Sequence, residues 1–216
     1  MSNRETTISN AVNTDDATKE AAEYFMSTDE DMMTNRYSWH RGIDLEDIDF
    51  EDEETREDYE EYVSDYAAEQ VYGALAELCW SIEEEEGRVS IWRSMTVPAD
   101  YLENGIEDRP LGIYWAFKED AAEAHYGDFS KGLREIVLKG VVRLDDIDWQ
   151  RSLTVNAHSE EEKELRLKDT AIVHVVSATW PSSKSDQSAI TVELDLELPA
   201  GTPKDLAFAE DAAVAA

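Results

Sequence analysis

Positive charge is scarce in this chain: 19 lysines and arginines stand against 51 aspartates and glutamates, for a formal net charge of −32. Affinity for nucleic acid rests mainly on cations that displace counterions from phosphates, so a nucleic-acid ligand is disfavoured and a partner with a basic surface is favoured. Cysteine is nearly absent. Cys79 alone cannot close an internal disulfide, and no charged-then-apolar export signal opens the chain; the expected location is the reducing cytoplasm. Long apolar runs are missing too: the longest, Ala171 to Ala178, is broken by His174 and falls short of the roughly 18 residues a membrane span needs. The four histidines, His40, His125, His158 and His174, are scattered without metal-ligand spacing, so no metal is expected. There is no Walker-type loop, Gly-x-Gly-x-x-Gly or Gly-x-Ser-x-Gly elbow, which removes the common nucleotide-hydrolase, Rossmann and serine-hydrolase readings.

What is present divides near Gly87. Residues 1–86 hold 27 acidic and 5 basic residues, and the balance eases beyond. Residues 1 to about 20 are polar without apolar periodicity and read as a loose tail. Residues 44–58 carry an acid in nearly every second place, the pattern of a solvated, partner-seeking loop. From Thr55, apolar residues recur at steps of three and four (Tyr59, Tyr62, Val63, Tyr66, Val71, Ala74, Leu75, Leu78, Ile82), which predicts an amphipathic helix over about 55–86. Thr55 with Asp58 resembles a capping box, Gly87 marks the end, and the tyrosine stripe reads as core.

After Gly87 the patterns are short and extended: Val89 to Met95, Gly112 to Phe117, Glu135 to Leu144, Glu164 to Leu167, Ala171 to Ser177 and Ala189 to Leu198, with one short helix in the segment KEDAAEAHY. The alternation in AITVELDLEL requires one wet face, which predicts an antiparallel sheet. Expected domains are therefore an acidic, mainly helical region over 1–86, a second domain over 87–198 and a flexible tail over 199–216.

Three motifs follow in order along the second domain. SIWRS carries Arg93 between Trp92 and Ser94; GIYWAF leads through a short helix into His125-Tyr126-Gly127; and EEEKELRL feeds Glu162-Lys163-Glu164 into a strand about 70 residues after the arginine. This order resembles the ADP-ribosyltransferase superfamily, whose members place an arginine or histidine on a first core strand, a serine or tyrosine on a second, and Glu-x-Glu or Gln-x-Glu before a late strand. The stretch VVRLDDIDWQRSLTVN is similar to the connection in bacterial and phage members, which suits an effector carried by a phage or mobile element. The likeness covers about residues 87–180. Trp115-Ala116-Phe117 stands where arginine-type members have Ser-Thr-Ser, whereas Gly112 to Ala116 resembles the Gly-x-Tyr-Phe-Ala stretch of the histidine-tyrosine-glutamate branch, with Tyr126 one residue beyond the usual spacing.

The resemblance implies an α+β fold with a split antiparallel sheet pair, NAD as substrate, and transfer of single ADP-ribose units to a protein side chain such as arginine. Breaking the nicotinamide–ribose bond develops positive charge on the ribose, and a fixed carboxylate lowers that barrier; the family pattern gives this role to Glu164. Glu162, on the same side of an extended chain, would orient or deprotonate the acceptor. Arg93 supplies a planar five-donor fork for pyrophosphate or ribose hydroxyls, beside Ser94. Tyr114, with Trp115 following it, would stack on nicotinamide, and Tyr126 or His125 would take the other face. A rival expectation from composition is a non-catalytic acidic protein that mimics DNA and occupies the basic groove of a nuclease or defence factor.

Overall fold

A computed structural model of the chain describes residues 14–28, 30–98, 100–106, 110–123, 133–159, 163–180 and 189–201. It is mixed α+β, with a helical N-terminal part and an antiparallel sheet. Two compact units are present, one formed by Met1–Ile82 with Trp149–Glu164, the other by Glu83–Asp148 with Leu165–Ala216. The first of these units ends at Ile82, a few residues before Gly87, and includes the later segment Trp149–Glu164.

The helical unit contains α1 (Thr14–Thr28), α2 (Glu30–Arg41), α3 (Glu53–Ser81) and α6 (Trp149–His158), with α1, α3 and α6 packed on one another. Part of the expected loose tail, from Thr14 onward, is therefore helix. Phe25, Met33, Val63 and Ala67 form its core, and Tyr59, Tyr62 and Tyr66 pack against them. The tyrosine stripe is accordingly packing surface. Val63, Ala67, Val71, Ala74 and Leu78 line the buried side of α3 at steps of three and four.

The ends of α3 differ from the sequence expectation. Asp52 is the N-cap, its carboxylate accepting the Thr55 backbone N–H and hydroxyl, each at 2.9 Å. Those hydrogen bonds, the backbone one foremost, hold the Asp52 carboxyl below its ordinary value of 3.8. The helix stops at Ser81 rather than running to Glu86. Four consecutive glutamates at a helix C-terminus would oppose its dipole; instead Glu84–Glu85 forms β1, paired with the start of β2 (Arg88–Pro98) around Glu86 and Gly87, both at positive φ. That is the two-residue turn whose twist suits a hairpin. At the other end of the unit, Tyr37, 2 % exposed, donates its hydroxyl to Asp58 at 2.8 Å, and Arg41 pairs with the same carboxylate. Burial first, then the hydrogen bond to Asp58 and the Asp58 charge, push the Tyr37 hydroxyl pKa up.

In the sheet unit, β3 (Tyr114–Ala116), β4 (Leu133–Arg143), β5 (Glu164–Arg166), β6 (Ile172–Trp180) and β7 (Ile190–Pro199) join β1 and β2. The path is β5-β3-β2-β4-β6-β7, with β1 beside β2. Each strand from β2 to β7 overlaps one of the segments expected from sequence, and β1 falls where helix was expected. The division between units falls within β5, between Glu164 and Leu165. Helices α4 (Tyr101–Asn104) and α5 (Glu119–Glu123) are short. One continuous sheet replaces the expected split pair, because β4 is hydrogen-bonded along one edge to β2 and along the other to β6. Gly140 leaves room for the Val173 side chain there: a Cβ would lie 2.6 Å from Val173 Cγ1. The register of β7 on β6 shifts between Glu193 and Leu196; Ile190 and Val192 before the shift are exposed, and Leu198 after it is buried.

Candidate active site

Strand β2 pairs in unbroken register with β4, so the faces of its side chains follow from parity. Ile91 opposes Gly140 and Arg93 opposes Leu138, on the face where the Trp115 ring approaches Gly140. Trp92 opposes Lys139 and Ala116, and Ser94 opposes Val137, on the other face. Tyr114, two residues before Ala116, shares that second face with Ser94. The sheet unit therefore separates the expected residues: Ser94 and Tyr114 lie on one side, Arg93 and Trp115 on the other.

Arg93 nonetheless reaches the strand that carries Tyr114. Its guanidinium lies against the backbone of Gly112, where a Cβ would come within 2.9 Å of Nη2 and 3.0 Å of Cζ. Nη1 donates to the carbonyl oxygen of Tyr114. Gly112 is at φ +87°, a conformation that favours glycine, so this position, two residues before β3, is specified both by its dihedral and by the arginine lying on it. The sequence reading directed the Arg93 fork to a pyrophosphate; in the sheet unit part of that fork holds the protein backbone.

Trp115 is 2 % exposed and donates its indole N–H to the Gly112 carbonyl at 2.9 Å. It packs as core and locks the turn into β3. Tyr114 alternates outward and is 42 % exposed. The guanidinium of Arg166 lies over its ring, 4.6 Å from the centroid, the geometry of a cation–π contact. Arg166 escaped the sequence reading, although its spacing of two from Glu164 was the available signal. Ser94 donates its hydroxyl to Glu135 at 3.0 Å, and Glu135 is only 8 % exposed. This buried carboxylate on β4 also went unnoticed, because a single glutamate in an apolar strand reads as a surface residue.

Glu164 is half-buried and opens β5, the edge strand beside β3. Its carbonyl accepts the Asn156 side-chain amide at 2.7 Å, a bond within the helical unit. By alternation it shares a side of β5 with Arg166, and Leu165, fully buried, takes the other. Glu162, His125 and Tyr126 lie outside the described residues. His40 and Arg41 end helix α2 and Gly42 follows it, with no strand before them among the described residues. Among the described residues no helix is long and apolar enough to cross a membrane, and no three His, Cys, Asp or Glu side chains cluster as a metal site. No protein-family model, no curated protein and no solved structure matches the chain.

Proposed function

We propose that the chain is a mono-ADP-ribosyltransferase that transfers ADP-ribose from NAD to a macromolecular acceptor, a protein side chain such as arginine. The observation that supports this reading is the strand order β5-β3-β2: three motifs spread over some 70 residues of sequence lie on three adjacent strands. Such adjacency is what a shared substrate requires, and chain order alone does not produce it.

In this reading the nicotinamide ring stacks on Tyr114 and leaves with the electron pair of the broken glycosidic bond. The Glu164 carboxylate faces the positive charge that develops on the ribose. The acceptor nitrogen then bonds to the anomeric carbon and gives up its proton, with Glu162 as the base. Arg93 contributes by holding the backbone that presents Tyr114, beside whatever donors it offers to the substrate.

The test is incubation of the protein with labelled NAD and a cell lysate, together with a thermal titration. Label on a macromolecule, and a midpoint that rises with NAD as expected of a ligand bound by the folded state, support the proposal. A flat titration up to millimolar NAD with no label overturns it. That result would favour the non-catalytic acidic mimic, for which the exposed carboxylates of Asp44, Glu46, Asp47, Asp49, Glu51 and Asp52 are the supporting observation.

A further inference from the structure

Tyr114 is held at two points by two arginines from different strands. Arg93 of β2 fixes its carbonyl, and Arg166 of β5 covers one face of its ring at 4.6 Å. Tyr114 as a residue is still 42 % exposed, so the arginine does not bury it. A tyrosine on a strand edge samples several χ1 wells when nothing braces it. A planar guanidinium stacked on the ring selects one well and is pre-organised to do so in a way that an ammonium is not.

We propose that Arg166 is a positioning residue: it takes one face of Tyr114 and so fixes the ring as a platform that receives a flat heteroaromatic ring on its opposite face. The inference rests on the NAD reading above and extends it. It names Arg166 as the residue that governs recognition of the nicotinamide end, as distinct from the ADP-ribose end. Its action runs through Tyr114. Removing the guanidinium leaves the platform in place but unbraced, and the ordering of the ring must then be supplied by each binding event.

Binding of two ligands by calorimetry separates the possibilities. One is a carbocyclic NAD analogue that cannot be cleaved; the other is ADP-ribose, which has no nicotinamide. Arg166→Met should weaken the analogue roughly tenfold, the size expected for loss of a pre-organised stacking contact, and leave ADP-ribose affinity within about twofold. Tyr114→Leu should give the same selective loss. Adding Arg166→Met to it should have little further effect, as coupled residues behave in a double-mutant cycle. Equal weakening of both ligands by Arg166→Met would assign the arginine a general structural or phosphate-binding role and overturn the inference. An unchanged analogue affinity would overturn it as well. If Arg166→Met does not fold, Arg166→Gln, which retains length and hydrogen bonding, gives the same comparison. Failure of the unmodified protein to bind either ligand defeats the NAD reading itself, and the inference with it, a result unlike either of the others.

Discussion

Arg93 and Gly112 are shaped to each other: the guanidinium occupies the space that a Cβ at position 112 would fill, 2.9 Å from its Nη2. The glycine is at φ +87°, so an alanine there meets a dihedral penalty and must also displace the guanidinium from its bond to the Tyr114 carbonyl. Gly112→Ala should destabilise the protein by about 2–4 kcal/mol. Gly42, at φ +67° with open space around it, provides the control. Gly42→Ala meets the dihedral term only, of about 1–2 kcal/mol. Urea denaturation of both variants checks the difference, and equal losses would show that the arginine contact contributes nothing.

Glu164→Gln keeps shape and removes charge. Turnover should fall on the order of 100-fold or more, about 2.7 kcal/mol of barrier, while NAD affinity changes little. Glu162→Gln should impair transfer to the acceptor more than hydrolysis of NAD. Single-turnover assays with and without acceptor distinguish the two, and wild-type labelling by both folded variants would return the acidic run to an ordinary solvated face.

Asp52 makes an electrostatic contribution with a definite pH dependence. Its carboxyl pKa is lowered in the folded chain by the Thr55 hydrogen bonds, so its stabilisation is present above the ordinary aspartate value of 3.8 and is lost as pH falls through the lowered value. Asp52→Ala should lower the melting temperature by a constant amount near neutral pH. The gap from wild type should close on acidification below about pH 4. A gap that stays constant down to the acid limit would mean that the cap acts without its charge.

Tyr37 behaves in the opposite sense. Its hydroxyl pKa is raised by burial and by Asp58, so its contribution is complete below the ordinary tyrosine value of 10.0 and declines as pH rises through the raised one. Tyr37→Phe should lose about 1–2 kcal/mol at neutral pH, since one hydrogen bond to a charged acceptor disappears. Its stability should also become less sensitive to alkali than the wild type's. Denaturation at pH 7 and pH 11 measures both effects.

Local pattern carried most of the strand positions. β2, β4, β6 and β7 carry long apolar stretches, and the bounds of each fall within three residues of the expected ones. The ends of α3 were less legible, because Asp52 and Thr55 are both good caps by type and only the backbone decides between them. Helix α6 was hidden inside a segment that resembled a connection; its buried face, Trp149, Ser152, Leu153 and Asn156, mixes polar with apolar residues and gives a weak periodic signal. At the site, the exposure of Tyr114 and the burial of Trp115 follow from alternation once β3 is placed. The backbone seat of Arg93 and the stack of Arg166 on Tyr114 could not be read, because both depend on which strands are neighbours.

The helical unit is discontinuous in sequence: it gathers Met1–Ile82, and then Trp149–Glu164 from far downstream. The chain leaves the sheet unit after Asp148 and re-enters it at Leu165, so neither unit is complete on one uninterrupted stretch. A gene fragment ending at Ile82 would make three helices without α6, and one beginning at Glu83 would make a sheet bearing an orphaned helix with Trp149 and Leu153 stripped of cover. Neither piece is a portable module. The two fragments should regain native spectra only when produced together, and the linear order of the chain should tolerate recombination poorly at the very point, residues 82–87, where its composition changes most.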